Sequence, residues 1–327
     1  MQTISVNNLK KYYRVAQKEP GLRGSLKSLF KRKYQDVKAV ENISFKIEEG
    51  ELVGFIGPNG AGKTTTLKIL SGLLYPDDGE ISVLGFNPYE RKNEFLKNIS
   101  LVMGQKNQLW WDLPPMETFL LNKEIYEVSE DSFRTTLDEL VKLLDVEDIL
   151  KTPVRKLSLG QRMKCELIAA LIHRPKVLFL DEPTIGLDVV MQKTLRDFIR
   201  EYNRRFHSTI LLTSHYMDDV KELCKRVIII DKGKIIYDGS LAKIVHRFVK
   251  NKTISLVLGK EIDIKKLDSY GEIKELKFPK VVFNVLRKDV AKVTTNLLKN
   301  LPVEDLNIEE PQIEEVIRNI FSGKELI

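Results

Sequence analysis

The chain has 327 residues, 43% hydrophobic and 30% charged, with a formal net charge of +7 and two cysteines. This balance is ordinary for a folded globular protein and sets aside collagen-like, low-complexity and disulfide-framework chains. No apolar run nears the roughly 18 residues of a membrane helix, and Met1–Val6 lacks a secretory leader's apolar core. A cytoplasmic chain is therefore expected, with any membrane span supplied by another chain. Cys165 and Cys224 lie far apart without CxxC spacing and read as small buried core residues.

Residues 1–13 read as a strand entering the basic turn Lys10-Lys11-Tyr12-Tyr13. An insert of about 14–37 follows, in which Leu22, Leu26, Leu29 and Phe30 share one helical face. Arg23, Lys27, Lys31, Arg32 and Lys33 occupy much of the remainder, so this stretch suits either an anionic membrane surface or partner, or its own domain. Val37–Ile47 and Glu51–Ile56 read as strands, the second ending at Gly57-Pro58-Asn59-Gly60-Ala61-Gly62-Lys63-Thr64.

That octet matches GxxxxGK[ST] at every fixed position, and it sits between a strand and the helix marked by Leu67, Leu70 and Leu74. Glycines allow the backbone to curl with its N–H groups inward, and the helix N-terminus adds positive potential, which together make an anion cradle. Lys63 is expected to reach the β- and γ-phosphates, and the Thr64 hydroxyl to face Mg²⁺.

Glu80–Leu84 and Ile99–Met103 read as further strands. From about 112 to 165 the pattern is helical: Phe133, Leu137, Leu140, Val141 and Leu144 mark one face, and Ser129 is a plausible N-cap. Ser158 is placed to cap a second helix carrying Met163, Leu167, Ala170 and Leu171 inward. Val177–Leu180 is a continuous apolar run, as a central parallel strand requires. A helix with Leu195, Phe198, Ile199, Tyr202 and Phe206 inward, the strand Thr209–Leu212, a helix near Met217–Cys224 and a hairpin turning at Asp231-Lys232-Gly233 complete an α/β core. Beyond about residue 245 the expectation is a small α+β unit, with strands at Ile254–Leu258, Ile273–Phe278 and Val281–Leu286 and helices at Lys288–Leu298 and Pro311–Phe321.

Four elements add chemistry to the phosphate loop. Asp181 ends an apolar strand and suits a metal-supporting carboxylate. Glu182 follows where a carboxylate can orient or deprotonate attacking water. The others are Leu157-Ser158-Leu159-Gly160-Gln161, Gln105 after its strand, and His215 at the end of another.

In this order they resemble the nucleotide-binding subunit of the ABC transporter superfamily over roughly residues 1–240. The resemblance implies a phosphate-loop NTPase core of α/β class with an antiparallel β subdomain and a helical insertion, binding ATP and Mg²⁺. Domains are expected at 1–243, with a helical subdomain at about 105–165, and at 244–327. The implied roles are phosphate binding by Gly57 to Thr64 with Thr65, and adenine stacking by Tyr13, with Tyr12 as the adjacent choice. Gln105 senses the metal and the attacking water. Ser158, Gly160 and Gln161 form the signature, Asp181 supports the metal and Glu182 is the general base. Asp188, with Gly186 and Leu187, crosses a dimer interface, and His215 meets the γ-phosphate. Leu159 stands where the usual signature has glycine, a variant that looks like one branch of drug and polysaccharide exporters.

The mechanism implied is an ATP sandwich of two copies, each signature completing the other's site, joined to an integral-membrane permease in a separate chain. The expected function is energising an exporter, resembling the daunorubicin-resistance-like branch, from the cytoplasmic face of the membrane. Other readings are a soluble ABC ATPase acting on ribosomes or nucleic acid, which the charge of +7 suits, and an importer ATPase. A single nucleotide site and no long heptad run argue against the soluble type, so no nucleic-acid partner is expected. Trp110 and Trp111, the only tryptophans, mark an expected groove for a permease helix.

Overall fold

The computed structural model describes residues 2–17, 33–248, 251–263, 267–310, 316, 317 and 321. The helical expectations at 22–30 and over most of 311–321 lie outside these residues. The chain divides into two units, Met1–Gly239 and Ser240–Ile327.

The first unit is built on two sheets. In the smaller, β1 (Gln2–Gln17) pairs antiparallel with both β2 (Lys33–Glu48) and β4 (Asp78–Val83). The strands run further than expected: Arg14 pairs with Asp36 and Val15 with Gln35, so both ends of the supposed insert are a two-stranded ribbon. β-Branched and aromatic residues at Val15, Tyr34 and Val37 favour that extension even though they are exposed.

The larger sheet has the order β5-β6-β7-β3-β8-β9, with β3 at Leu52–Ile56, β5 at Ile99–Met103, β6 at Val177–Asp181, β7 at Thr209–Thr213, β8 at Arg226–Asp231 and β9 at Lys234–Ser240. The first five strands are parallel. β6 and β7 are buried at every position, which is why their sequences read as unbroken apolar runs. The β8–β9 turn has positive φ at both Lys232 and Gly233, the conformation whose twist suits a two-residue hairpin.

Helices pack on the sheet and on one another: α1 (Lys63–Leu70), the one-turn α2 (Asn93–Leu96), α3 (Pro115–Ile125), α4 (Glu130–Leu144), α5 (Leu159–Leu171), α6 (Val189–Phe206) and α7 (Met217–Leu223), with α3 and α4 set against α5. α4 buries Phe133, Leu137, Leu140, Val141 and Leu144, and Ser129 caps it as expected, accepting from the Ser132 N–H. Cys165 and Cys224 are buried free thiols, and burial pushes Cys165 up to about 12.

In the second unit α8 (Leu241–Phe248) precedes an antiparallel sheet ordered β11-β12-β10-β13: β10 is Asn251–Leu258, β11 Glu272–Lys277, β12 Lys280–Leu286 and β13 Val303–Glu309. Ile254, Leu256, Val281, Phe283 and Val285 make its core with Leu297 of α9 (Val290–Asn300). Two elements escaped the sequence reading. β13 is an edge strand whose polar residues mask its alternation, and α8 lies where the periodicity changes between units. No described helix is long and apolar enough to cross a membrane.

Candidate functional site

Parallel pairing sets Met103, Asp181 and Thr213 level at the C-terminal ends of β5, β6 and β7. β3 ends beside them, and the phosphate loop leads from it into α1. Gln105, Asp181, Glu182, His215 and residues 57–64 thus reach one edge of one sheet, where open α/β folds place their ligands.

The loop's glycines are required by space. A Cβ on Gly57 would lie 2.1 Å from the Ile230 carbonyl, and one on Gly62, whose φ is 108°, would lie 2.3 Å from the Ala39 carbonyl. Gly62 caps α1 without a side-chain hydrogen bond, so the first-turn N–H groups remain for an anion. Lys63 is buried and donates to the carbonyls of Gly57 (2.7 Å) and Pro58 (3.1 Å). Burial lowers its pKa against the pull of Glu182 and Asp181.

The Thr64 hydroxyl donates to Asp181 Oδ2 at 2.8 Å, while Asp181 Oδ1 accepts from Thr213 Oγ1 at 2.7 Å. A hard cation fits this hydroxyl–carboxylate pair. Among the described residues no cluster of three acidic, histidine or cysteine ligands exists, and Mg²⁺ habitually completes its shell with phosphate oxygens and water. Bound there, Mg²⁺ would neutralise charge on the β- and γ-phosphates.

Glu182 stands apart. Its φ is +55°, a conformation costing a non-glycine residue about 1–3 kcal/mol, which its neighbours sustain. Its N–H donates to Thr213, its Oε1 lies 2.6 Å from His215 Nε2, and its Oε2 accepts from Gln105 Nε2 at 3.3 Å. A mostly buried carboxylate is thereby aimed by two side chains that can each also meet a phosphate or water.

Sequence reasoning missed the scaffold behind this group. A Cβ on Gly104 would strike the Glu182 carbonyl at 2.1 Å, so only glycine permits the close approach after β5. Asp219, fully buried, accepts from Thr184, from Ser214 and, at 3.0 Å, from Arg196. It joins the loop after Glu182 to the residue before His215. A buried polar network of scattered positions has no sequence period, which is why no spacing disclosed it. Asp219→Ala leaves the buried Arg196 with Glu222, 3.2 Å from its Nε, as its remaining carboxylate and removes the acceptor of Thr184 and Ser214, so unfolding midpoints in urea should report a loss of about 2 kcal/mol.

The signature residues form a reciprocal cap: Ser158 Oγ accepts from the Gln161 N–H (3.2 Å) and Gln161 Oε1 accepts from the Ser158 N–H (3.0 Å). A Cβ on Gly160 would meet Met191 at 2.8 Å, and Leu159 lies over Gly186, so this turn is seated on the 186–191 segment. Asp188 caps α6 through the Met191 N–H. Leu159, Val189 and Val190 remain exposed. Tyr13 is exposed on β1, and consecutive strand residues place Tyr12 on the opposite face. Trp110 and Trp111 are both at least half exposed, and Trp110 borders a groove of about 590 Å³ with Leu73, Leu96, Leu121, Ile125 and Tyr126.

The family model described as "ABC transporter" matches residues 40–185, and that of the "EvrA-like ABC transporter, C-terminal domain" matches 250–309. The "ABC transporter ATP-binding protein NatA" of Bacillus subtilis is 36% identical over 214 residues, 64% of this chain and 87% of that protein. This chain belongs to the ABC transporter ATP-binding proteins. The "Linearmycin resistance ATP-binding protein LnrL" of the same organism is 27% identical over 302 residues, 89% of this ABC ATPase and 96% of the relative. A solved "ATP binding subunit of ABC transporter" superposes with a TM-score of 0.61 at 25% identity, covering 75% of this chain and 93% of that one. A dimeric cassette described as post-hydrolysis and "bound to ADP and Pi" is 23% identical with a TM-score of 0.60, over 72% of this chain and 98% of that chain, and supports the fold.

Proposed function

We propose that two copies of this ABC ATPase bind two MgATP between them and that hydrolysis at Glu182 energises a membrane exporter. The observation that carries the reading is the set of contacts around Glu182. One carboxylate, held between Gln105 and His215, adjoins the carboxylate–hydroxyl pair Asp181–Thr64 and the buried Lys63. Lys63 and the loop N–H groups hold the phosphates, Thr64 and Asp181 hold the metal, Glu182 takes the proton of the attacking water, and Gln105 and His215 keep it aimed.

Ser158, Gly160 and Gln161 of one copy complete the site of the other. The exposed Leu159, Val189 and Val190 beside them suit burial against a second copy. Tyr13 stacks on adenine from the smaller sheet. Export rather than import is supported by relatives such as the resistance protein LnrL and the "Nod factor export ATP-binding protein I" of Burkholderia pseudomallei, and LnrL matches across both units. The cytoplasmic face of the membrane is the location this reading requires.

The groove beside Trp110, lined by apolar side chains such as Leu121 and Ile125 and by polar ones such as Arg91, Lys97 and Glu127, accepts a short helix of the permease. Replacing Trp110 and Trp111 together by alanine removes two rigid anchors worth about 2 kcal/mol each, so permease affinity should fall by 100-fold or more. Co-purification from detergent and substrate efflux per ATP hydrolysed measure this. Undiminished efflux per ATP in that variant would put the permease contact elsewhere.

A further inference from the structure

Glu182 and His215 come from different loops, yet Oε1 and Nε2 stand 2.6 Å apart. Where the first loop leaves β6, the Glu182 N–H is shared between the carbonyl and the hydroxyl of Thr213, each at 3.1 Å. Beyond Glu182 the chain turns, with the Ile185 N–H on the Glu182 carbonyl at 3.2 Å, and beyond Thr213 the second loop carries His215 away from β7. Both outgoing stretches meet at one atom, Asp219 Oδ2. Thr184 Oγ1 donates to it at 2.5 Å and Ser214 Oγ at 2.6 Å.

A carboxylate paired with a guanidinium only accepts, so each hydroxyl must donate, and both lengths are those of charge-assisted O–H···O⁻ bonds. The Ser214 hydroxyl, its proton committed to Asp219, accepts the Tyr216 N–H at 3.0 Å and so holds the chain on both sides of His215. Asp219 is fully buried on α7, and Arg196 of α6 donates to its other oxygen at 3.0 Å. Thr184, Ser214 and Arg196 are each at most 5% exposed, so these bonds are made away from bulk water.

We propose that Asp219 is a positioning residue for hydrolysis: through Thr184 and Ser214 it sets the separation of Glu182 and His215 and so aims the carboxylate at the attacking water. This rests on the reading of Glu182 as the proton acceptor. A misplacement of about 1 Å can cost 10²-fold in rate. Neither hydroxyl bonds to residues 57–64, so the contribution falls on turnover and not on nucleotide affinity.

Asp219→Ala also strips an acceptor from Arg196, so the test uses the two hydroxyls, in the full chain. Thr184→Val keeps the shape and loses the donor, and Ser214→Ala loses the other donor. Each should slow single-turnover hydrolysis by about tenfold or more, with MgATP affinity within about threefold of wild type. Thr184→Ser, which keeps the donor and loses the methyl, should hydrolyse within about threefold of wild type. Unfolding midpoints in urea identify the folded variants, and the two tethers are separate, so either folded variant decides the matter. A wild-type rate in folded Thr184→Val or Ser214→Ala overturns the proposal. So does Thr184→Ser as slow as Thr184→Val, or a loss of affinity that matches the loss of rate. Glu182→Gln, run beside them, separates the two readings. If it hydrolyses normally, the base assignment falls and this inference with it; if it is inactive while Thr184→Val is normal, this inference alone is removed.

Discussion

Replacing Glu182 by glutamine should leave ATP bound but not hydrolysed. The amide matches the carboxylate in volume and retains an acceptor, so the contacts with Gln105 and His215 survive in outline and the phosphate cradle, made by other residues, is untouched. What disappears is basicity at the one position where a carboxylate is held between those two side chains. General-base catalysis contributes about 10²–10⁴-fold, so single-turnover hydrolysis should slow by at least the lower figure. Because the γ-phosphate then persists, the variant should accumulate as a dimer with two ATP, visible by light scattering as a doubled mass. Hydrolysis within about tenfold of wild type would move the proton acceptor to another group and leave Glu182 a structural role. His215→Ala is the companion: it removes the imidazole that holds Glu182 Oε1, so turnover should fall while nucleotide binding is kept.

How much of this could be read from the chain depended on whether the chemistry is local. The phosphate loop, Asp181 and Glu182 are each written in consecutive residues after an apolar run, so strand, turn and function share one window. The parallel strands β6 and β7 were legible because burial on both faces demands unbroken apolar sequence. The Ser158 cap was legible because Gln161 follows at the capping-box spacing. Thr213 and Asp219 were not. A threonine ending a strand and an aspartate in the first turn of a helix are ordinary residues in sequence; the parallel register turns Thr213 into a support for Asp181, and Asp219 acts only through its buried bonds to Thr184, Ser214 and Arg196. The ribbon at 14–17 and 33–37 was missed for another reason: exposed strands lack the alternation that betrays half-buried ones, so pairing partner rather than pattern decides them.

Lys63→Ala should abolish most nucleotide affinity. The ammonium is buried, its donors turned to the Gly57 and Pro58 carbonyls, so it is pre-positioned at the mouth of the loop and gives up only two neutral acceptors when a phosphate arrives. Exchanging those for charge-assisted bonds is worth about 1.5–3 kcal/mol per contact, and two phosphates double it, so the dissociation constant should rise by about 100-fold or more. Isothermal titration with MgATP measures this, and affinity within about fivefold of wild type would show that the loop N–H groups suffice without the lysine. Wild-type affinity carries a second signature. Burial lowers the Lys63 pKa below the usual lysine value, so the ammonium loses its proton earlier than an exposed lysine as pH rises. Bound phosphate raises the same pKa, so binding takes up a proton on the alkaline side and affinity should fall as pH climbs toward the lysine range. In Lys63→Ala that alkaline limb should be absent. If the limb survives in the alanine variant, another group titrates and the cradle's cation is not Lys63.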